Sequence, residues 1–296
     1  MRCFLSLTNR CNKQCEYCYY HVGVLEASNC EPSLDEIKKC LDFLHKMKCD
    51  SVSLTGGEPL VRKDIVDIIS YSHKKELKIT LVTNGMALAQ FLSDKDMLNQ
   101  ISCFAISLHI DQHTDINSYF QYMNSLIKEL KKFPGRIRLN FTLTGFNYHY
   151  FEKCIDFCDN LNVNFNVQPV VLDENRTGNS VHSLKNIKNE ELEYLQMLIL
   201  KWGKSSSNEN YSKKLITYLA GQPIQYDKCL AGVNFFVIHQ DLTLLPCFYR
   251  QDASVGSLLD KNSNINIIDL SKRFNNVCKN CQGPHCITLC EFGKYL

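Results

Sequence analysis

The sequence has little excess charge of either sign. Its 33 Lys and Arg residues nearly balance 31 Asp and Glu residues, which gives a net charge of +2 over 296 residues. A protein that binds nucleic acid or a membrane surface electrostatically concentrates Lys and Arg in one stretch, and no such stretch is present here. We therefore expect neither nucleic acid nor a membrane as a partner.

Two further features are missing. The first residues, Met-Arg-Cys-Phe-Leu-Ser-Leu, contain neither the apolar core nor the cleavage site of a signal peptide, and no apolar run reaches membrane-spanning length. We therefore expect a cytoplasmic protein, in which the 16 cysteines stay reduced and serve metal binding more than disulfides. The 45% hydrophobic content is enough for one large domain and a smaller one.

Three cysteines follow the first apolar run at CxxxCxxC spacing: Cys11, Cys15 and Cys18. Thiolates at this spacing on one short loop can hold three irons of a cubane cluster and leave the fourth iron without a protein ligand. Zinc is the alternative, but it usually takes four ligands from paired motifs. The nearest further candidate, His21, lies too close to Cys18 in the chain to serve comfortably as the fourth ligand.

The spacing, with Tyr17 just before the last cysteine, resembles the signature of the radical S-adenosylmethionine (radical SAM) enzymes. The resemblance implies a 4Fe-4S cluster whose open iron binds the amino and carboxylate groups of SAM. Cys11, Cys15 and Cys18 would then be both metal ligands and catalytic residues, and Tyr17 would contact the cofactor.

A glycine-rich turn, Gly56-Gly57-Glu58-Pro59, follows the second predicted strand. Two glycines allow a backbone to approach a ligand closely. The turn resembles the segment of radical SAM enzymes that holds the amino group of SAM, which implies that Gly56, Gly57, Glu58 and Pro59 bind the cofactor.

Short apolar runs alternate with helical periodicity along the first 170 residues. This alternation predicts six β/α units, with a parallel sheet and helices outside it. Six units resemble the open partial (β/α)6 barrel of radical SAM proteins, an α/β fold. The predicted strands cover residues 3–8, 51–55, 78–83, 103–108, 137–144 and 163–169.

Polar residues near three of these strand ends are further candidates. The same resemblance implies that Ser107 and Asn147 contact the ribose and carboxylate of SAM, and that Gln168 contacts adenine or substrate. The alternative for Ser107 and Asn147 is ordinary capping of a strand end by a small polar side chain.

The last part of the chain is rich in cysteine. We predict the barrel over residues 1–185, a helical linker over 186–222 and a small domain over 223–296. Alternation before Cys247 predicts a β-hairpin that turns near Gln240 and Asp241. Six cysteines belong to this domain: Cys229, Cys247, Cys278, Cys281, Cys286 and Cys290.

This cysteine set resembles the SPASM and Twitch extensions of radical SAM enzymes, which carry auxiliary 4Fe-4S clusters. The match is incomplete in three respects. Leu242 stands where the family usually has Gly, the interval between Cys281 and Cys286 is one residue short, and no seventh cysteine follows Cys290.

Two ligand assignments follow from the resemblance. In a Twitch-like arrangement Cys229, Cys247, Cys278 and Cys281 bind one cluster, and Cys286 and Cys290 are extra. In a SPASM-like arrangement one cluster has Cys229, Cys247 and Cys290, and a second has Cys278, Cys281 and Cys286. One or two auxiliary clusters are therefore expected, with zinc as the alternative because these spacings also occur in zinc knuckles.

The resemblance implies that SAM is cleaved to a 5′-deoxyadenosyl radical that abstracts hydrogen from a substrate C–H bond. Auxiliary clusters can accept a second electron, which favours an overall oxidation or crosslinking. The resemblance implies a ribosomally synthesised peptide as the substrate, because many enzymes of the cluster-bearing branch modify such peptides. The expected partners are a precursor peptide and an electron donor such as flavodoxin or ferredoxin. Because the first strand begins at residue 3, we expect a separate protein or the barrel itself to recognise a leader.

Three alternatives stay open. The first is a redox-neutral peptide epimerase in which a cysteine such as Cys103, Cys154 or Cys158 donates hydrogen to the substrate radical. The second is a dehydrogenase of a small alcohol or sugar. The third is a binding protein stabilised by zinc, without catalytic activity.

Overall fold

The structure is a computed structural model that describes residues 1–18, 31–170, 181–206, 208–222, 224, 231–248, 250–259, 272 and 274. Eight strands form one sheet in the order β6-β5-β4-β3-β2-β1-β7-β8. All neighbours are parallel except β7 and β8, which are antiparallel. The strands are β1 Arg2–Ser6, β2 Ser51–Thr55, β3 Lys78–Thr83, β4 Ile101–Leu108, β5 Arg136–Leu143, β6 Asn164–Pro169, β7 Phe235–Ile238 and β8 Leu244–Leu245.

Helices connect the parallel strands. In the described part of the chain they are α1 Leu34–Lys46, α2 Ile65–Lys74, α3 Lys95–Asn99, α4 Ile116–Leu130, α5 Phe151–Leu161, α6 Asn189–Ser205 and α7 Glu209–Leu219. The predicted six-unit α/β partial barrel is confirmed, and each of the six strands lies within two residues of its predicted bounds. None of the described helices is long and apolar enough to cross a bilayer.

The first helix shows how local sequence sets these bounds. The Ser33 hydroxyl accepts a hydrogen bond from the amide of Glu36, and the Glu36 carboxylate accepts one from the amide of Ser33. This capping box satisfies two backbone donors at the helix start. Ile37, Cys40 and Leu41 then lie on one face and pack into the core.

The sheet has two chemically different faces because side chains alternate along each strand. One face packs against the helices and contains apolar residues such as Leu5, Leu139 and Phe141. The other face is the inside of the barrel. Polar and basic residues occupy much of it, and on β5 these are Arg136, Arg138 and Asn140.

A hairpin made of β7 and β8 extends the sheet beyond the barrel. Strand β7 pairs in parallel with β1, from Arg2 opposite Phe235 to Leu5 opposite Ile238. One sheet therefore runs across the boundary predicted at residue 223, and the predicted domain division stays a prediction.

The hairpin turns at Gln240 and Asp241, as the alternation indicates. Leu242 follows the turn with a φ of 62°, in the left-handed region. This conformation costs an L-residue roughly 1–2 kcal/mol compared with Gly. The backbone thus still has the shape that Gly would favour at this position.

Candidate active site

The three cysteines of the first motif lie on the loop after β1, at the carboxyl end of the parallel strands. Cys11 is exposed, Cys18 is half-buried, and Cys15 is buried. Burial raises the pKa of the Cys15 thiol to about 12, and Lys13 opposes this increase. The carboxyl end of a parallel barrel is where such folds place their chemistry.

Both glycines of the Gly-Gly-Glu-Pro turn are required by close backbone packing against this loop. A Cβ on Gly56 would lie 2.3 Å from the carbonyl oxygen of Thr8, and one on Gly57 would lie 2.2 Å from that of Arg10. The Gly57 amide donates to the Thr8 carbonyl at 2.6 Å, and the Glu58 amide donates to the Arg10 carbonyl at 2.8 Å. The two loops therefore form one rigid unit.

The Glu58 side chain lies inside this unit. Its carboxylate accepts hydrogen bonds from the Thr83 hydroxyl at 2.7 Å, the Asn84 amide at 2.7 Å and the Leu60 amide at 3.1 Å. Burial raises the pKa of Glu58, and these donors oppose that increase. The contacts favour a structural role for the carboxylate, which joins the turn to the end of β3.

The end of β3 also contacts the cysteine loop directly. The Asn84 side-chain amide donates to the Asn12 side chain at 2.7 Å and lies 3.7 Å from the Cys11 sulfur. An amide donor to a cluster-bound sulfur stabilises negative charge on that sulfur. Asn84 is a polar residue directly after a strand, and no motif in the sequence marks it as part of the site.

Arg62 also stabilises this region. Its buried guanidinium forms a two-pronged ion pair with Asp64 at 2.9 and 2.7 Å and donates to the Leu7 carbonyl at 2.9 Å. A planar guanidinium suits this set of acceptors better than an ammonium group would.

Tyr17 and His109 meet beside the second cysteine. The Tyr17 hydroxyl lies 3.0 Å from Nδ1 of His109, and this nitrogen lies 3.6 Å from the Cys15 sulfur. Burial is the largest cause that lowers the pKa of His109 to about 4, so its imidazole is neutral near pH 7. His109 follows β4, and sequence reasoning did not identify it because no spacing motif marks it.

The sequence profile described as "Radical SAM superfamily" matches residues 5–158. The chain belongs to the radical SAM superfamily. The match includes the cysteine loop, the glycine turn and five of the barrel strands.

Two sequence relatives are named for a reaction of GTP, whereas the expectation above is a reaction of a peptide. GTP 3',8-cyclase of Desulforamulus reducens is 33% identical over 156 residues, which are 50% of this chain and 48% of that protein. The chain thus spans about half the length of this relative. The probable GTP 3',8-cyclase of Methanocaldococcus jannaschii is 24% identical over 276 residues, 88% of this chain and 90% of that protein.

Several solved structures have a similar fold. Streptococcus suis SuiB bound to precursor peptide SuiA has a TM-score of 0.59 at 18% identity and covers 84% of this chain and 59% of its own. The enzyme anSMEcpe, with AdoMet and the Kp18Cys peptide bound, has a TM-score of 0.60 at 16% identity and covers 97% of this chain and 88% of its own. At these identities the likeness concerns the fold.

The donor set on the first loop fits the radical SAM cluster. Cys11, Cys15 and Cys18 lie near enough that their charges affect one another's pKa. Within the described residues, no three His, Cys, Asp or Glu side chains converge on a point suited to a single metal ion. The superfamily implies a 4Fe-4S cluster and SAM, and three thiols on one loop suit three corners of such a cluster.

The three predicted strand-end contacts fall into two kinds. Asn147 is buried, and its carboxamide donates to Thr142 and Ile110 carbonyls at 2.9 and 3.3 Å and accepts from the Thr144 amide at 2.8 Å. These contacts favour strand-end capping over cofactor binding. Ser107 and Gln168 belong to the inner face of the sheet, and their cofactor contacts stay a prediction.

In the second cysteine set, Cys247 is buried two residues past β8. The other members, Cys229, Cys278, Cys281, Cys286 and Cys290, lie outside the described residues. Their ligand assignment therefore stays a prediction.

Proposed function

We propose that this radical SAM enzyme oxidatively modifies or crosslinks a ribosomally synthesised peptide. In this proposal its second cysteine set binds one or two auxiliary 4Fe-4S clusters that accept an electron from the substrate. The partners would be a precursor peptide, a separate leader-recognition protein where one is needed, and a flavodoxin or ferredoxin.

The position of Cys247 is the observation that carries the proposal. Leu245 of β8 lies opposite Val237, which lies opposite Phe4 of β1. Because β8 runs antiparallel, Cys247 lies near the amino end of β1, whereas Cys11 follows the carboxyl end. The Phe248 ring lies 5.9 Å from the Phe4 ring, on the inner side of β1. The two cysteine sites therefore lie toward opposite ends of the barrel.

A substrate inside the barrel would lie between these two sites. When bound, the first cluster and SAM supply the 5′-deoxyadenosyl radical that abstracts a hydrogen atom. The chain itself positions the loop of Cys11, Cys15 and Cys18 through its backbone bonds to the glycine turn, and the family resemblance implies that this turn holds the amino group of SAM. A cluster held partly by Cys247 would accept an electron at the other end of the cavity, which oxidation of a substrate radical requires.

The choice of a peptide is supported by the fold neighbours, since SuiB and anSMEcpe were both solved with peptides bound. This support is an analogy of fold, because related folds carry many functions. It is strengthened by Cys247, whose position supports an electron acceptor beyond the first cluster.

Iron counting tests the cluster part of the proposal. After anaerobic reconstitution, the chain should bind more than four irons, and Cys247→Ala should lose iron while a variant of the three first-loop cysteines keeps the auxiliary iron. Cys40→Ala, in the helix-side core, is the control. Four irons in the parent and an unchanged count in Cys247→Ala would reject an auxiliary cluster.

Product analysis tests the reaction. Short peptides encoded beside the gene, incubated with SAM and a reductant, should lose two hydrogens per modification. Unmodified peptides, together with turnover of another substrate class, would reject the peptide proposal.

A peptide epimerase is a second candidate, and the position of Cys103 favours it. Cys103 is buried on the inner face of β4, opposite Thr80 and Arg136. Cys154 and Cys158 belong to the helix-side core, so their thiols do not face the barrel interior. Among these three cysteines, we therefore propose Cys103 as the hydrogen donor of an epimerase.

Deuterium tracing separates the two reactions. In deuterated solvent an epimerase adds one deuterium, and Cys103→Ser should abolish that addition while Cys154→Ser preserves it. Loss of two hydrogens in both variants would favour oxidation.

A nucleotide cyclase is a third candidate, favoured by the names of the sequence relatives. Incubation with GTP, SAM and reductant, followed by chromatography of the nucleotides, tests it directly. If the enzyme converts GTP and leaves peptides unmodified, a nucleotide cyclase would replace the peptide-modifying enzyme as the proposed function.

A further inference from the structure

The inner wall of the barrel is basic. The eight strands of the sheet contain no Asp or Glu, yet they contain four basic residues: Arg2, Lys78, Arg136 and Arg138. The ladder aligns Arg2 with Ser51 and Ser51 with Lys78, and Arg136 with Cys103. These residues therefore share the face that is turned away from the helices.

The charges of these arginines interact even though the residues come from distant strands. On a flat sheet, β1 and β5 would be four strand spacings apart, roughly 19 Å. The charges of Arg138 and Arg136 nevertheless act on Arg2, and all three act on the Cys103 thiol. Curling of the sheet into a barrel shortens the separation that a flat sheet would give and so lets these charges act on one another.

Arg138 is the central residue of this group. It is 9% exposed, and its Nε atom is buried without a hydrogen-bond partner in the part of the chain that the structure describes. Two residues along the same face, Oδ1 of Asn140 is also buried with no partner among the described residues, and as an acceptor it can pair with an N–H group of the same ligand. Burial of an unsatisfied charged donor is unfavourable unless a ligand completes its hydrogen bonding.

The positive charges near Arg138 add to the free-energy cost of burying its guanidinium group. Burial, followed by the positive charge of Arg138, lowers the pKa of Arg2 to about 10. Arg2 donates to the Ser51 hydroxyl at 3.3 Å. Asp50 affects Arg2 weakly, and its carboxylate pairs with the amino group of Met1. A bound anion would offset the repulsion between the arginines.

We propose that Arg138, with Arg2 and Arg136, forms an oxyanion subsite in the barrel that binds a carboxylate of the substrate. A guanidinium can hold the two oxygens of a carboxylate with parallel hydrogen bonds. Arg138 lies four residues before Thr142, which is close to the carboxyl end of β5. Arg138 is therefore roughly 13 Å from the end of the barrel that carries the cysteine loop. The subsite would thus anchor one end of the substrate while the reacting carbon stays near the cofactor.

The choice of a carboxylate rests on the proposed peptide function, in which an Asp or Glu side chain supplies it. A triphosphate offers the same oxyanion chemistry, and the experiment distinguishes the two sources. Binding is measured without turnover, so its result does not depend on which reaction the enzyme catalyses.

The test uses the reconstituted full chain in titration calorimetry with three probes: glutarate, a Glu-containing peptide encoded beside the gene, and GTP. Arg138→Gln should weaken binding of the glutarate and peptide probes by at least roughly tenfold, since it removes a charged donor. Arg138→Lys should recover part of the affinity because it restores charge without the planar fork. Lys132→Gln, an exposed change outside the barrel, should leave binding unchanged.

Circular dichroism and reductive SAM cleavage without substrate show whether Arg138→Gln stays folded and loaded. Equal affinity of the parent chain and Arg138→Gln for every probe, or no binding of any probe to the parent chain, overturns the subsite. Arg138-dependent binding of GTP alone supports the subsite but overturns the peptide as its ligand. Arg138-dependent peptide binding followed by no peptide modification supports the subsite and rejects the proposed reaction.

Discussion

The backbone amide of Asn84 donates to the buried carboxylate of Glu58 at 2.7 Å and so joins the end of β3 to the glycine turn. Through this bond, the turn after β2, the end of β3 and the cysteine loop after β1 form one connected support for the cluster. The acidic residue of the turn therefore contributes to the site through the backbone that it holds.

Glu58→Gln should destabilise the chain. The carboxylate accepts from three donors, and an amide would place an NH2 group against at least one of them. We expect a loss of about 1–3 kcal/mol in the free energy of unfolding, measured by urea denaturation. Glu193→Gln, on the exposed side of α6, is the control. Equal stability of the two variants would show that Glu58 is not needed to hold the turn.

Gly57→Ala should displace the cysteine loop. The added Cβ would lie 2.2 Å from the Arg10 carbonyl oxygen. The backbone fixes the positions of both atoms, so neither can rotate away from the other. We expect reduced iron incorporation at the first cluster and weaker SAM binding, measured after anaerobic reconstitution by iron analysis and calorimetry.

Gly221→Ala provides a comparison for that variant, because a Cβ there meets none of the described residues within 4 Å although its φ is +67°. It tests the backbone cost of replacing a glycine without a steric clash. Parental iron content and SAM affinity in Gly57→Ala would contradict the close-packing explanation.

Asp241 should make the hairpin sensitive to acid. A hydrogen bond with His239 is the largest cause that lowers the pKa of Asp241 to about 2, below its usual 3.8. A depressed folded-state pKa means that the carboxylate stabilises the fold above about pH 4 and that this contribution is lost as the pH falls toward 2. The carboxylate is 41% exposed, so solvent screening reduces the effect.

Unfolding measured between pH 5 and pH 2 checks this expectation. The parent chain should lose more stability over this interval than Asp241→Asn, which has no carboxylate to protonate at this position. Identical pH profiles would show that the hydrogen bond contributes nothing to folding.

Much of the fold could be predicted from local sequence. Ser33 and Glu36 mark the start of α1 because they cap its own backbone, and the apolar run at 51–55 marks β2 because its side chains are buried. The cysteine and glycine motifs could likewise be recognised, since cluster chemistry demands a fixed spacing on one loop.

The roles within the motifs were harder to predict. Glu58 and Asn147 occupy positions that suggested cofactor contacts, but their side chains bond to the protein itself. His109 and Asn84 reach the cysteine loop from strands distant in sequence, so no local spacing could identify them.

The sequence by itself determined the radical SAM chemistry and the order of the β/α units, because both depend on residues close together in the chain. Tertiary structure decided which side of the sheet each residue faces and which distant residues meet. It placed Cys103 on the inner face of the sheet and Cys154 in the helix-side core, and it let the charge of Arg138 act on Arg2. Such relations arise when strands far apart in sequence pair in register and curl into a barrel, which no single stretch of the chain encodes.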